Sequence, residues 1–386
     1  MLFRHIPLII LMLVMLYTSL QAELSGPPIT DNNYKVEVHL GPVLGSAKKV
    51  ALGGAYSAIG DGAGSLIDNP ASAGFRPHHS TGDWDYDATI GSFIVGDNDF
   101  DNNGNDTFTY ENNRITNFGF LLQYRQFGFG FHITPHEFES IGIGETYTYT
   151  VGVSNVSLGY TTRDRQWTFG AGTRIVNIAI ARGPSGSEKL LDLSSTGPAF
   201  GFIWHPDSGP LRFGAQYASA VKSNQDTEII SDQPYRVAGL IIPQEATIPT
   251  EIAVGTSYES VTSPFLYGLP LLCAFEIKYF DKTENTYGVE SFLEQKVQES
   301  GTSASYKIHA GVQVEVLPGR FRLRAGTYHE QSRFDGISPR QHVTGGGELR
   351  IWQFNLLGTH YVSLNYAFDV ARDYSNNIIS IGFWHF

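Results

Sequence analysis

The stretch Asp99-Phe100-Asp101-Asn102-Asn103-Gly104-Asn105 sets side-chain oxygens at alternate positions and a glycine where a tight loop must turn. Calcium takes six to eight oxygen ligands, and the first half of a twelve-residue calcium loop has this spacing. The second half does not follow, because position twelve is Tyr110 and Glu111 comes one place late. Asp99, Asp101, Asn103 and Asn105 are thus candidate Ca2+ ligands, and the plainer reading is a solvated acidic loop. The adjacent pair His78-His79 is a weaker metal signal.

A second set repeats with period two. After Leu317-Pro318-Gly319, Arg320, Arg322 and Arg324 alternate with Phe321, Leu323 and Ala325. Before it, Ile308, Ala310, Val312, Val314 and Val316 alternate with His309, Gly311, Gln313 and Glu315. Strand side chains point to opposite faces in turn, so this hairpin has one apolar and one charged face. Glu315, Glu276, Glu348 and Asp369 are the acids that such an arginine ladder can pair with. The ladder reads either as a structural ion network in a polar lumen or as a surface that binds carboxylates or holds a plug.

The elements that position these residues recur from about Asp83 to the end. Phe118/Phe120/Leu122/Tyr124, Phe127/Phe129/Phe131/Ile133, Leu211/Phe213/Ala215/Tyr217 and Leu364/Tyr366/Phe368/Val370 are further period-two runs. Many are about ten residues long, as a tilted membrane-spanning strand must be. Their connections tend to alternate in length. Loops near Asp97 to Asn113, Pro135 to Gly144, Gly183 to Ser195, Lys222 to Thr247, Lys282 to Ser303 and Gln331 to Gln341 are longer. Arg125-Gln126, Arg163-Asp164-Arg165, Pro206-Asp207-Ser208-Gly209 and Leu317-Pro318-Gly319 are short. A soluble sandwich has no reason to sort loops by parity, whereas an outer-membrane barrel turns tightly on one side and loosely on the other. The pattern predicts an all-β chain forming a transmembrane antiparallel β-barrel of about 14 strands. Trp384 and Phe386 resemble a barrel terminus, but Ile379, Ile381 and Phe383 have the other parity, which predicts a bulge near Phe383.

The ends and composition agree. Arg4, the apolar stretch from about Ile6 to Tyr17 and Ser19-Leu20-Gln21-Ala22 read as a signal peptide over 1–22, too short for a membrane helix. No later run of 18 apolar residues exists, so helical insertion is excluded. Cys273 is the one cysteine, which rules out a disulfide framework. A net charge of −12 argues against nucleic acid, whose phosphates call for clustered Lys and Arg. Neither G-x-S-x-G, H-E-x-x-H nor paired cysteines occur, so no enzyme is indicated.

Between leader and barrel lies a segment, within 23–79, that does not alternate. Val50 to Ser72 is small, apolar and glycine-rich, a composition suited to packing in a confined space. Its Gly60-Asp61-Gly62-Ala63-Gly64 follows no buried strand and is no nucleotide loop. Ala51-Leu52-Gly53-Gly54-Ala55, then Asp61, then Asn69-Pro70-Ala71, resembles the N-terminal plug of FadL/TodX-type outer-membrane transporters of hydrophobic compounds. Leu323 to Tyr328, Val343 to Gly346 and Asn365 to Phe368 extend the resemblance across the barrel, residues 80–386. The resemblance implies a 14-stranded barrel in the outer membrane of a Gram-negative bacterium. It implies that Gly53, Gly54, Asp61, Asn69, Pro70 and Ala71 form the plug or gate, and that long-chain fatty acids or other hydrophobic small molecules move inward. Outer-membrane lipid would surround it. PorV-type barrels share the plug pattern and serve protein secretion or scaffolding, which gives an alternative with a protein partner. Leu66-Ile67-Asp68 stands where the family usually has aromatic residues, and Ser72 where glycine is common.

Overall fold

The computed structural model describes residues 26–38, 41–76, 80, 82–95, 99–105, 111–141, 145–183, 188–206, 209–224, 235–263, 266, 268–356 and 359–383. The leader 1–22, the pair His78-His79, Tyr110, Trp384 and Phe386 lie outside them. No helix among the described residues is long and apolar enough to cross a membrane; the crossing elements are strands.

Fourteen strands close an antiparallel barrel. In chain order they are β1 Trp84–Val95, β2 Glu111–Tyr124, β3 Phe127–Ile141, β4 Thr146–Thr161 and β5 Trp167–Arg182. Next come β6 Glu188–Trp204, β7 Leu211–Ala218, β8 Glu251–Ser260, β9 Leu271–Phe280 and β10 Ser305–Leu317. The last are β11 Phe321–Glu330, β12 Arg340–Asn355, β13 Thr359–Ala371 and β14 Tyr374–Phe383. Each pairs with its sequence neighbours, and β14 closes on β1 with Thr89 opposite Gly382 and Val95 opposite Asn376.

The alternation read in the sequence sorts side chains inside out relative to a soluble protein. Ile90, Phe129, Leu158, Val254, Ile277, Leu323, Ile379 and Ile381 are exposed, while His132, Asn155, Arg174, Glu276, His309, Arg324 and Glu348 are buried. An apolar exterior around a polar interior is the arrangement a bilayer demands. At the short-turn rim aromatic rings form a girdle: Trp84 lies 4.6 Å from Tyr124 and Trp167 lies 5.7 Å from Trp204, ring to ring. Among the described residues, which end at Phe383, the bulge expected there is not present. β14 pairs in unbroken register, and Phe383 shares the outward row of Ile379 and Ile381, 5.6 Å from the rings of Tyr86, Phe354 and His360. The loop alternation is also looser than the sequence suggested. Strand β3 runs to Ile141 and β6 starts at Glu188, so neighbouring outer connections are short, and Arg372-Asp373 alone joins β13 to β14.

Placing a charge on the lipid face tests this orientation. Val254→Arg is expected to cost about 2–4 kcal/mol near mid-membrane, read as a lower urea midpoint in lipid vesicles. An unchanged midpoint would reverse the assignment of faces.

The lumen is filled by the chain's own N-terminal part. Residues 35–37 form the centre of a five-stranded sheet with 299–300, 286–287, 245–248 and 221–224, all from the two long outer connections. Beneath it helix α1, Ala47–Ala51, is capped by Ser46, and a 3₁₀ turn over Pro70–Ala73 is capped by Asn69, whose side chain accepts from Ala71 N. Ser and Asn at the cap and Pro at the first helical position are what the sequence supplies for such turns.

Candidate functional site: the plug and its ion network

Asp68 stands at the centre of the lumen. Its Oδ1 receives Lys49 Nζ at 2.9 Å and Lys278 Nζ at 2.6 Å, and its side chain is 1% exposed. Lys278 also lies 3.2 Å from Glu276 Oε1. The other oxygen of Glu276 accepts the backbone N–H groups of Tyr56 at 3.0 Å and Ser57 at 2.6 Å. A wall carboxylate and a wall lysine thus hold opposite ends of the same plug segment. Low local dielectric makes each such bond strong when complete and costly when broken.

Of the arginine ladder, Arg324 and Arg322 both reach Glu348, Arg322 at 3.6 Å, and Arg322 pairs with Glu315 at 3.0 Å. Lys48 of α1 joins Glu348 from the plug at 3.1 Å. Three expectations need correction. Arg320 does not face the lumen, because the hairpin turn runs through it and leaves it exposed before β11 begins at Phe321. Glu276 pairs with no ladder arginine; its strand β9 sets it beneath Tyr56 and Ser57 instead. Asp369 likewise serves His342, at 2.8 Å, and Tyr328, at 2.6 Å.

The other plug residues singled out by sequence are brought against the wall. Asn69 Nδ2 donates to Ser57 O at 2.7 Å and to Phe202 O at 3.1 Å, tying two plug turns to β6. Pro70 and Ala71 press on Gly170 of β5. Asp61 lies 3.8 Å from Lys48. Gly53 adopts φ +63°, lies against the backbone of Ala310 and Thr327, and its carbonyl meets His309 Nδ1 at 2.7 Å. A side chain there is excluded both by conformation and by space. Lys48, Lys49, Lys278 and Asp68 were not singled out. Two adjacent lysines inside an otherwise apolar plug were the available signal.

Above the plug lies a cavity of about 130 Å³. Val38, Val43, Ile248 and Phe280 line its apolar side, and Lys49, Asp68, Lys278 and Lys307 its charged side. Above that, Tyr34, Val36, Ile241 and Phe292 pack with Ile178 and Leu193 of the wall into an apolar cluster filling the outer half of the lumen.

The acidic loop folds back on itself and against a second outer connection. Asp99 Oδ1 accepts Asn103 N and its Oδ2 accepts Gly104 N, both at 2.9 Å. Asn103 and Asn105 donate to Glu290 Oε2 at 2.8 and 3.3 Å. Glu290 belongs to helix α2, Val289–Glu294, in the long connection between β9 and β10. Burial pushes Asp99 up to about 6, and burial with mutual repulsion pushes Asp101 and Glu290 well above the usual carboxylate range.

Fold and site together define a 14-stranded transmembrane barrel whose lumen is closed by its own N-terminal segment and locked there by buried ion pairs. Among solved structures of similar fold is the CymD monoaromatic hydrocarbon channel, at 14% identity over 90% of this chain and 98% of that one, with a TM-score of 0.52. The toluene transporter TodX of Pseudomonas putida is similar at 13% identity over 92% of this chain and 99% of that one, with a TM-score of 0.51. This likeness is one of fold. No family model and no curated protein matches the sequence.

Proposed function

We propose that this protein is an outer-membrane channel of a Gram-negative bacterium that takes up hydrophobic small molecules through its plugged barrel. The observation that carries this reading is the layering of the lumen. An apolar cluster at the outer end leads to a half-apolar cavity, and the floor of that cavity is the ion-locked plug. Removing an apolar solute from water contributes roughly 0.8 kcal/mol per buried methylene, so the upper layers capture and the plug gates. At roughly 10–15 Å³ for each water-sized group, the cavity suits a single aromatic ring or a short acyl chain. A long-chain fatty acid would reach up into the outer cluster and displace part of the five-stranded sheet, with its carboxylate near Lys49, Lys278 and Lys307. The similar fold of CymD and TodX, a hydrocarbon channel and a toluene transporter by name, supports the substrate class. Outer-membrane acyl chains would cover the exposed apolar band.

Native mass spectrometry with lipid extraction tests this, comparing the mature chain with a variant lacking residues 50–72. An apolar molecule retained by the wild type and lost from the variant is expected. An empty barrel carrying a protein partner would overturn the reading in favour of secretion or scaffolding.

A further inference from the structure

We propose that loop 99–105 and helix α2 together form a Ca2+ site, with Asp99, Asp101 and Glu290 as its anionic ligands and asparagine amide oxygens completing the set. Asp101 is 5% exposed and Glu290 4%. Both carboxylate oxygens of Asp101, and Oε1 of Glu290, are buried with no hydrogen-bond partner. The amide of Asn102 is buried in the same way. A buried carboxylate stays ionised only when paired or bound to a metal, and three of like charge in one cluster repel each other.

The cation beside them is already committed. Arg340 gives Nε to Glu330 Oε2 at 2.7 Å and its other nitrogens to the carbonyls of Asp99 and Phe100. Loop carbonyls are spent as well, since Ser332 Oγ donates to Asn102 O at 2.7 Å and Gln298 Nε2 to Asn103 O at 2.8 Å. What remains open is a set of hard side-chain oxygens, the chemistry that selects Ca2+.

As the side chains stand, no three His, Cys, Asp or Glu groups among the described residues are arranged to hold a metal. Binding therefore turns Glu290 from the amides of Asn103 and Asn105 onto the ion beside Asp101. Glu290 takes the place of the missing twelfth residue, and the ion staples the β1–β2 loop to the β9–β10 loop.

The test is calorimetric titration of Ca2+ into the chelator-treated mature chain in detergent, at the roughly 10⁻⁴ to 10⁻³ M used by extracellular sites. Saturable binding and a raised unfolding temperature are expected for the wild type, with affinity at least about tenfold weaker in Asp101→Asn and Glu290→Gln. Without Ca2+ both variants should unfold no earlier than wild type, because each removes a repelling charge. An equal response in wild type and variants overturns the site, as does no response in the wild type. Independently of any variant, Ca2+ must slow protease cleavage within 96–110 relative to equal Mg2+; equal cleavage overturns the proposal.

Discussion

Asp68→Ala is expected to unlock the plug while the barrel stays closed. The substitution strips Lys49 and Lys278 of a shared acid that is 1% exposed. Removing one partner of a buried pair typically costs about 3–5 kcal/mol, because a charge is left uncompensated. Here the loss falls unevenly. Lys278 retains Glu276 at 3.2 Å and Glu251 at 3.8 Å. Lys49 keeps no other ion pair closer than 4.0 Å among the described residues, and it sits on α1, the plug's own helix. The loss therefore lands on the plug rather than on the wall. Trypsin should cut after Lys48 or Lys49 in Asp68→Ala but not in wild type, and conductance through planar bilayers should rise. Lys49→Met combined with Asp68→Ala should recover much of the protection, since it removes the stranded ammonium, with a coupling of about 0.5–3 kcal/mol between the two sites. A single variant as tight as wild type would show that the ion lock does not hold the plug.

Why this lock escaped the sequence is a matter of distance along the chain. Strand alternation and turn residues are local, so the barrel, its strand number and the inward row of Arg322 and Arg324 could be read directly. Arg320 has the same parity but lies one residue too early, inside a turn set by Pro318-Gly319, where facing loses its meaning. The plug stood out because it does not alternate. Its partners did not, because Asp68 meets Lys278, and Glu276 meets Tyr56 and Ser57, only after some two hundred residues of barrel have closed around them. Asp68 showed only as a departure from an aromatic position. Glu290 is the same case at the outer rim: the acid that joins the loop of Asp99 and Asp101 is supplied by another connection.

The wall itself offers the sharpest test of where the plug sits. A Cβ on Gly170 of β5 would overlap the backbone of Pro70 and Ala71, and Gly128, Gly159, Gly201, Gly214, Gly311 and Gly326 meet the plug as closely. Gly170→Leu therefore has nowhere to put its side chain unless the 3₁₀ turn over Pro70–Ala73 leaves. That turn is pinned by Asn69 to Ser57 and Phe202, so it yields only as a unit. The penalty should exceed the about 1–3 kcal/mol of ordinary overpacking, because backbone rather than side-chain atoms must move. Ala171→Leu, one residue along and exposed on the lipid face, adds the same bulk where it is welcome. Ala171→Leu should migrate as a compact, heat-modifiable barrel with a protease-resistant plug. Gly170→Leu should either lose that compact form or show a plug cleaved within 60–76. If Gly170→Leu kept both the compact band and the protected plug, the turn at Asn69-Pro70-Ala71 would have to lie away from β5, and the gating scheme built on it would fall with it.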